Sequence, residues 1–196
     1  MTAPPNDAPL YDVSTREGFL RRAAEVADRR IPPRFRHATA THSDVTAWCQ
    51  GFSPESPSLL ILGPTGSGKT HQAFGAVRSL AARGITVNWE AATAPDMYAS
   101  MRPREGVDSE GEFARLAAAD LLLLDDLGAA KVTEWTEEIL YRLVNHRYEA
   151  MLPGIFTSNI PAAELRDVIG DRVASRLAEM CRLIPLRGAD RRRAAK

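Results

Sequence analysis

One twelve-residue stretch constrains this chain more than any other: LLILGPTGSGKT at positions 59–70. Four apolar residues break into Gly63-Pro64-Thr65-Gly66-Ser67-Gly68-Lys69-Thr70, and a helical pattern follows from His71 onward. The spacing G-x-x-x-x-G-K-T between a strand and a helix is a P-loop. Its glycines let the backbone turn so that successive N–H groups point inward around a phosphate. The helix starting near Lys69 adds its positive N-terminal end to the same anion. Lys69 is placed for the β- and γ-phosphates and the Thr70 hydroxyl for Mg²⁺. Residues Gly63 through His71 are therefore the expected nucleotide contacts. The chain carries three lysines (Lys69, Lys131 and Lys196) against twenty-two arginines. The P-loop cation is nevertheless lysine, the compact point charge that suits this site.

The P-loop heads an alternating pattern. Strand 58–62 leads into helix 69–83, which Gly84 ends. ITVNW (85–89) reads as a strand, residues 95–101 and 109–118 as helices, and 120–125 as a strand. Helix 134–151 and strand 154–158 follow. Strands alternating with helices predict a parallel sheet covered on both faces, with ligands bound beyond the carboxyl ends of the strands. Upstream, Ser14-Thr-Arg-Glu17 reads as a capping box opening a helix over 15–29, which Ile31-Pro32-Pro33 stops. A short helix over 43–51 precedes the P-loop strand. Residues 1–13 read as a disordered tail. The expected division is a helical extension over 14–52 and an ATPase-type core over 53–196.

Two further strands end in chemistry. Asp120-LLLL-Asp125-Asp126 places adjacent carboxylates after a fully apolar run, at the sheet edge that faces the loop. Asp125 is the expected Mg²⁺ partner and Asp126 the group that polarises an attacking water. The alternative for the pair is a surface turn using Asp for local hydrogen bonds; the P-loop upstream further favours the catalytic reading. GIFTSN (154–159) ends in Thr157 and Asn159, either of which suits a γ-phosphate or its attacking water. GDRVASRL (170–177) sets Arg172 and Arg176 on one helical face.

Composition narrows the class. The 196 residues carry 25 basic and 25 acidic side chains, 44% hydrophobic residues and two cysteines far apart. No apolar run approaches the length of a membrane span, and no basic-then-apolar leader opens the chain. A cytoplasmic protein is expected. Charge is uneven: residues 166–196 carry nine basic against four acidic side chains, an excess suited to a polyanion or to the nucleotide itself.

GPTGSGKTH, LLLLDDLG, FTSN, GDRVASRL and RGADRR, in this order and spacing, resemble the DnaC/IstB-type AAA+ ATPases, and IPPRFR (31–36) before the core is similar too. The resemblance spans about residues 31–193. It implies an AAA+, ASCE-type three-layer α/β sandwich with a central parallel sheet and a truncated C-terminal lid. It implies ATP and Mg²⁺ as cofactors and a homo-oligomer when ATP is bound. By this likeness Asn159 matches sensor 1, Arg176 an arginine finger offered to a neighbouring subunit, and Arg191 the sensor 2 arginine. In the initiator-like branch, an inserted helix between the second and third strands faces single-stranded DNA, which makes Arg102 and Arg104 the expected phosphate contacts. The second acid departs from the family, where Asp-Glu is common.

The leading expectation is an ATPase that loads a replicative helicase onto single-stranded DNA, docking it through the N-terminal region. The first alternative is an IstB-like transposition helper whose partner is a transposase. A nucleotide-dependent DNA-binding module with little turnover is a third reading, kept open by Asp126. A nucleoside or small-molecule kinase would share the P-loop but needs an acceptor pocket, and the adjacent acids favour water activation instead.

Overall fold

The computed structural model describes residues 14–187, so the expected tail 1–13 and Arg191 lie outside the described residues. Five strands, β1 (Ser58–Leu62), β2 (Trp89–Thr93), β3 (Leu121–Leu127), β4 (Gly154–Ser158) and β5 (Cys181–Pro185), form one sheet. The order is β2-β3-β4-β1-β5 and every pairing is parallel. β4 is thus inserted between β1 and β3, which brings the strand before the P-loop and the strand of acids to either side of one neighbour.

Period-two alternation sorts the central strands between two cores. Leu60, Leu62, Leu122, Leu124 and Phe156 pack under α4 (Ala94–Met101), α5 (Ser109–Ala117), α6 (Glu134–Glu149), α7 (Ala162–Ile169) and α8 (Asp171–Met180). Leu59, Ile61, Leu121, Leu123 and Ile155 face the other way, onto α2 (Ser43–Gln50) and α3 (Lys69–Ala82). The expected three-layer α/β sandwich is what forms.

Two local expectations are corrected. The second strand is Trp89–Thr93 rather than 85–89: Trp89 pairs with Leu121, while Ile85 and Val87 pack from a non-strand approach against the α2–α3 side. The N-cap of α1 (Arg16–Arg30) is Thr15, whose hydroxyl accepts from the Gly18 N–H at 3.0 Å, and Glu17 pairs with Arg21 instead of closing a box on Ser14. Beyond Asn159 the chain first builds α7, α8 and β5, so any lid begins only after Pro185.

The N-terminal segment is also joined to the core. Asp28 of α1 pairs with Arg78 of α3 at 2.8 Å, and Leu20 and Phe19 lie against Gly84. Ile31, Val45, Trp48 and Cys49 share one apolar cluster with β1 and α3, so packing runs continuously across position 52. Phe35 stacks on Phe74 with ring centroids 5.1 Å apart. Gly75 permits the closest approach: a Cβ there would sit 2.3 Å from the Ala40 nitrogen, inside its backbone. The Gln72 carboxamide ties the same strap down, accepting from the N–H groups of Thr41 and His42 and donating to the Thr41 hydroxyl. Of the α1 stripe, Phe19 and Val26 stay exposed.

Candidate active site

The P-loop leaves β1 at Leu62 and enters α3 at Lys69. Gly66 and Gly68 take φ of 82° and 96°, left-handed geometry that an L side chain rarely adopts. Lys69 is buried, and its ammonium donates to the carbonyls of Gly63 and Pro64 at 2.8 and 3.1 Å. Beside the loop lies a cavity of about 520 Å³, lined by Thr65, Gly66, Gly68, Lys69, Thr70, His71, Asp126 and Asn159, together with Arg34 and Phe35. His71 also accepts from the Thr39 N–H at 3.2 Å, linking the loop's helix to the N-terminal strap.

The two acids enter the site through an irregularity in the sheet. Leu124 pairs with Phe156 and Leu127 with Ser158, so Asp125 and Asp126 together oppose the single residue Thr157. This is a β-bulge, a device that re-aims a side chain. Without it, successive residues would point to opposite faces. Asp126 instead takes φ of 58° and turns its carboxylate to the cavity, and Leu127 resumes the alternation in the α4–α8 core.

Asp125 is 7% exposed and is held from two sides. The Thr70 hydroxyl lies 2.9 and 3.1 Å from its two carboxylate oxygens, and the Thr157 hydroxyl donates to it at 2.5 Å. Burial pushes the Asp125 carboxyl above its ordinary value. The Thr157 bond opposes that push, the charge of Asp126 adds to it, and Thr70 and Lys69 pull it back down. A buried carboxylate under net upward pressure is one that a cation would stabilise.

Do these residues fit a magnesium nucleotide? The Thr70 hydroxyl on the cavity lining meets the carboxylate of Asp125, which is not itself a lining residue, and the two make the sparse protein donor set that Mg²⁺ shares with phosphates. Among the described residues no cluster of three His, Cys, Asp or Glu forms an all-protein metal cage. Inside the P-loop the Ser67 hydroxyl is buried without a hydrogen-bond partner. The volume is that of a ligand pocket rather than a packing defect. The fit is good.

Other expected residues lie elsewhere. Thr157 is fully buried and reaches Asp125 instead of the cavity, so of the two candidates at the end of β4 only Asn159, just past the strand, lines it. Arg176 sits on α8 and does not line the P-loop cavity. Its Nε donates to Asn145 at 3.2 Å and its guanidinium lies 4.3 Å from the Tyr148 ring centre. Arg172 and Arg176 line a second, open cavity with Tyr141, Arg166, Asp171 and Ser175. Arg102 and Arg104 are exposed just past α4, the first over the Trp135 ring and the second donating to the Ala99 carbonyl. Arg34 and Phe35 are functional candidates that residue patterns did not mark; the IPPRFR segment was the only hint.

Fold and site together define an ATP-binding protein of the AAA+ class. Residues 46–196 match the family model described as IstB-like ATP binding protein, and the chain belongs to that family. Among its relatives is the insertion sequence IS5376 protein of Geobacillus stearothermophilus, named for ATP binding, 30% identical over 126 residues, or 62% of this chain and 48% of that protein. The replicative helicase loader DnaC of Escherichia coli (strain K12) is 25% identical over 138 residues, 69% of this chain and 56% of the loader. The chain thus spans about half the length of the curated relatives it matches. In fold it resembles the crystal structure of the DnaC helicase loader, with a TM-score of 0.71 and 21% identity over 80% of this chain and all of that one. AMPPCP-bound DnaA from Aquifex aeolicus aligns with a TM-score of 0.67 and 21% identity over 84% of this chain and 53% of that one. Among the described residues no helix is long and apolar enough to cross a membrane.

Proposed function

We propose that this protein is a Mg²⁺-dependent ATPase that acts on a DNA-bound partner, and that the partner is a transposase. The observation carrying the enzymatic half is the bulge, which sets Asp125 on the P-loop threonine and Asp126 in the cavity. Lys69 would hold the β- and γ-phosphates, and Thr70 with Asp125 the metal ion. Bound there, Mg²⁺ supplies charge neutralisation at the phosphates. Asp126 is the proposed base for the attacking water, and Asn159 orients that water or the γ-phosphate. Arg34 and Phe35 line the same cavity and are the proposed contacts to the nucleoside.

Arg176 lies outside the chain's own cavity, which is the placement a residue acting on a neighbouring copy requires. We assign it as the arginine finger of a site completed between subunits. Arg102 and Arg104 are the proposed contacts to single-stranded DNA.

The choice of partner rests on kinship. The family model bears the IstB name, and proteins of insertion sequences reach 30 to 32% identity where DnaC reaches 25%. These relatives support the transposition reading over the helicase loader, the leading expectation from the sequence, whose motifs the two readings share. DnaC's presence among them keeps the loader as the second reading. ATP turnover measured with and without single-stranded DNA tests the enzymatic claim. Co-purification with the cognate transposase, against the host replicative helicase, decides the partner.

A further inference from the structure

We infer that Thr157 is the positioning residue that sets both acids of the site. Its hydroxyl donates to Asp125 Oδ1 at 2.5 Å and accepts from the backbone N–H of Asp126 at 3.0 Å. A hydroxyl offers one donor and two acceptor lone pairs, and this one spends both kinds on the bulge. The inference rests on the roles given above to Asp125 and Asp126.

The bulge explains why such a residue is needed. With two residues opposing one, the N–H of Asp126 loses its regular place in the β3–β4 ladder. The Thr157 side chain takes that place and holds Asp126 in its left-handed conformation. The same oxygen fixes the carboxylate of Asp125, which Thr70 grips from the P-loop side. Thr157 is fully buried and does not line the cavity, so whatever it does for nucleotide chemistry passes through the acids. Position 157 therefore works as a hinge pin. It couples where a metal ion sits to where a water is polarised.

Thr157→Val keeps the branched shape and removes both hydrogen bonds; Thr157→Ser keeps the hydroxyl. The measurements are ATP-analogue affinity without metal, Mg²⁺ affinity in the presence of AMPPCP, single-turnover ATP hydrolysis, and amide hydrogen exchange at Asp126. The Val variant should bind AMPPCP normally without metal. It should bind Mg²⁺ about 10-fold more weakly, hydrolyse ATP about 10²-fold more slowly, and exchange the Asp126 amide at least about 10-fold faster. The Ser variant should recover most of each loss. Should the Val variant fail to fold, Thr157→Ala removes the hydroxyl with less bulk and carries the same expectations. Wild-type Mg²⁺ affinity and Asp126 exchange without the hydroxyl would overturn the inference. If wild-type protein binds Mg²⁺ with AMPPCP yet never hydrolyses ATP, the ATPase reading fails, while the metal and exchange measurements still decide Thr157.

Discussion

The Thr70 hydroxyl lies 2.9 Å from Oδ2 of Asp125, joining two residues fifty-five positions apart in the chain. This contact closes the P-loop onto the strand of acids. The carboxylate it holds is buried and pushed towards its neutral form, a push that the Thr70 bond only partly offsets.

Asp125→Asn should therefore stabilise the metal-free protein. Its raised carboxyl pKa means the fold prefers the protonated acid, so Asp125 supports stability below the ordinary carboxylate range and loses that support as pH rises through its folded value. The Asn variant's gain in Tm should be largest near neutral pH and shrink as pH falls towards about 4. Adding Mg²⁺ and ATP should reverse the order, since binding stabilises only a form that binds. An Asn variant less stable than wild type at pH 7 without metal would contradict this.

Lys69→Ala removes the cation facing the phosphates and leaves the apolar strands intact. ATP affinity should fall about 10²-fold, the scale of a lost charge-assisted contact, with an unchanged circular dichroism spectrum. Isothermal titration calorimetry makes the check, and wild-type affinity would remove the P-loop from the nucleotide site.

Phe35 stacks on Phe74 and lines the cavity, so the strap before α2 forms part of the wall of the proposed nucleotide site. Phe35→Ala should weaken ATP binding about 10-fold while affecting inorganic triphosphate little, because the loss falls at the nucleoside end. Deleting residues 1–36 should weaken ATP binding at least as much. Equal losses for ATP and triphosphate would move Phe35 away from the base.

Arg176→Ala should bind ATP but hydrolyse it about 10³-fold more slowly. Mixed with Lys69→Ala, it should regain part of the turnover, because one intact composite site can form where the two variants meet. With mixed assembly confirmed by cross-linking, no recovery at any ratio would return Arg176 to a purely structural place beside Asn145 and Tyr148.

Much of this was readable in the sequence, for a physical reason. β1, β3 and β4 are buried on both faces and so appear as apolar runs, and the P-loop and acids sit at their ends. β5 is an edge strand in which only Ile184 is buried, so CRLIP carries no such run. β2 hides because Glu90, half-buried between Arg30 and Arg115, makes WEAAT less strand-like than ITVNW. The bulge and the reach of Phe35 into the cavity were illegible. Each arises from register and packing between segments about thirty residues or more apart, which no local pattern records.

The central claim is that Asp126 drives ATP hydrolysis from its place in the bulge. Single-turnover hydrolysis by Asp126→Asn, beside its ATP affinity, tests this most directly. The account predicts affinity within about twofold of wild type and hydrolysis slowed about 10²–10⁴-fold, the contribution of a positioned base. Hydrolysis at the wild-type rate with ATP normally bound would contradict it and place the base on another residue.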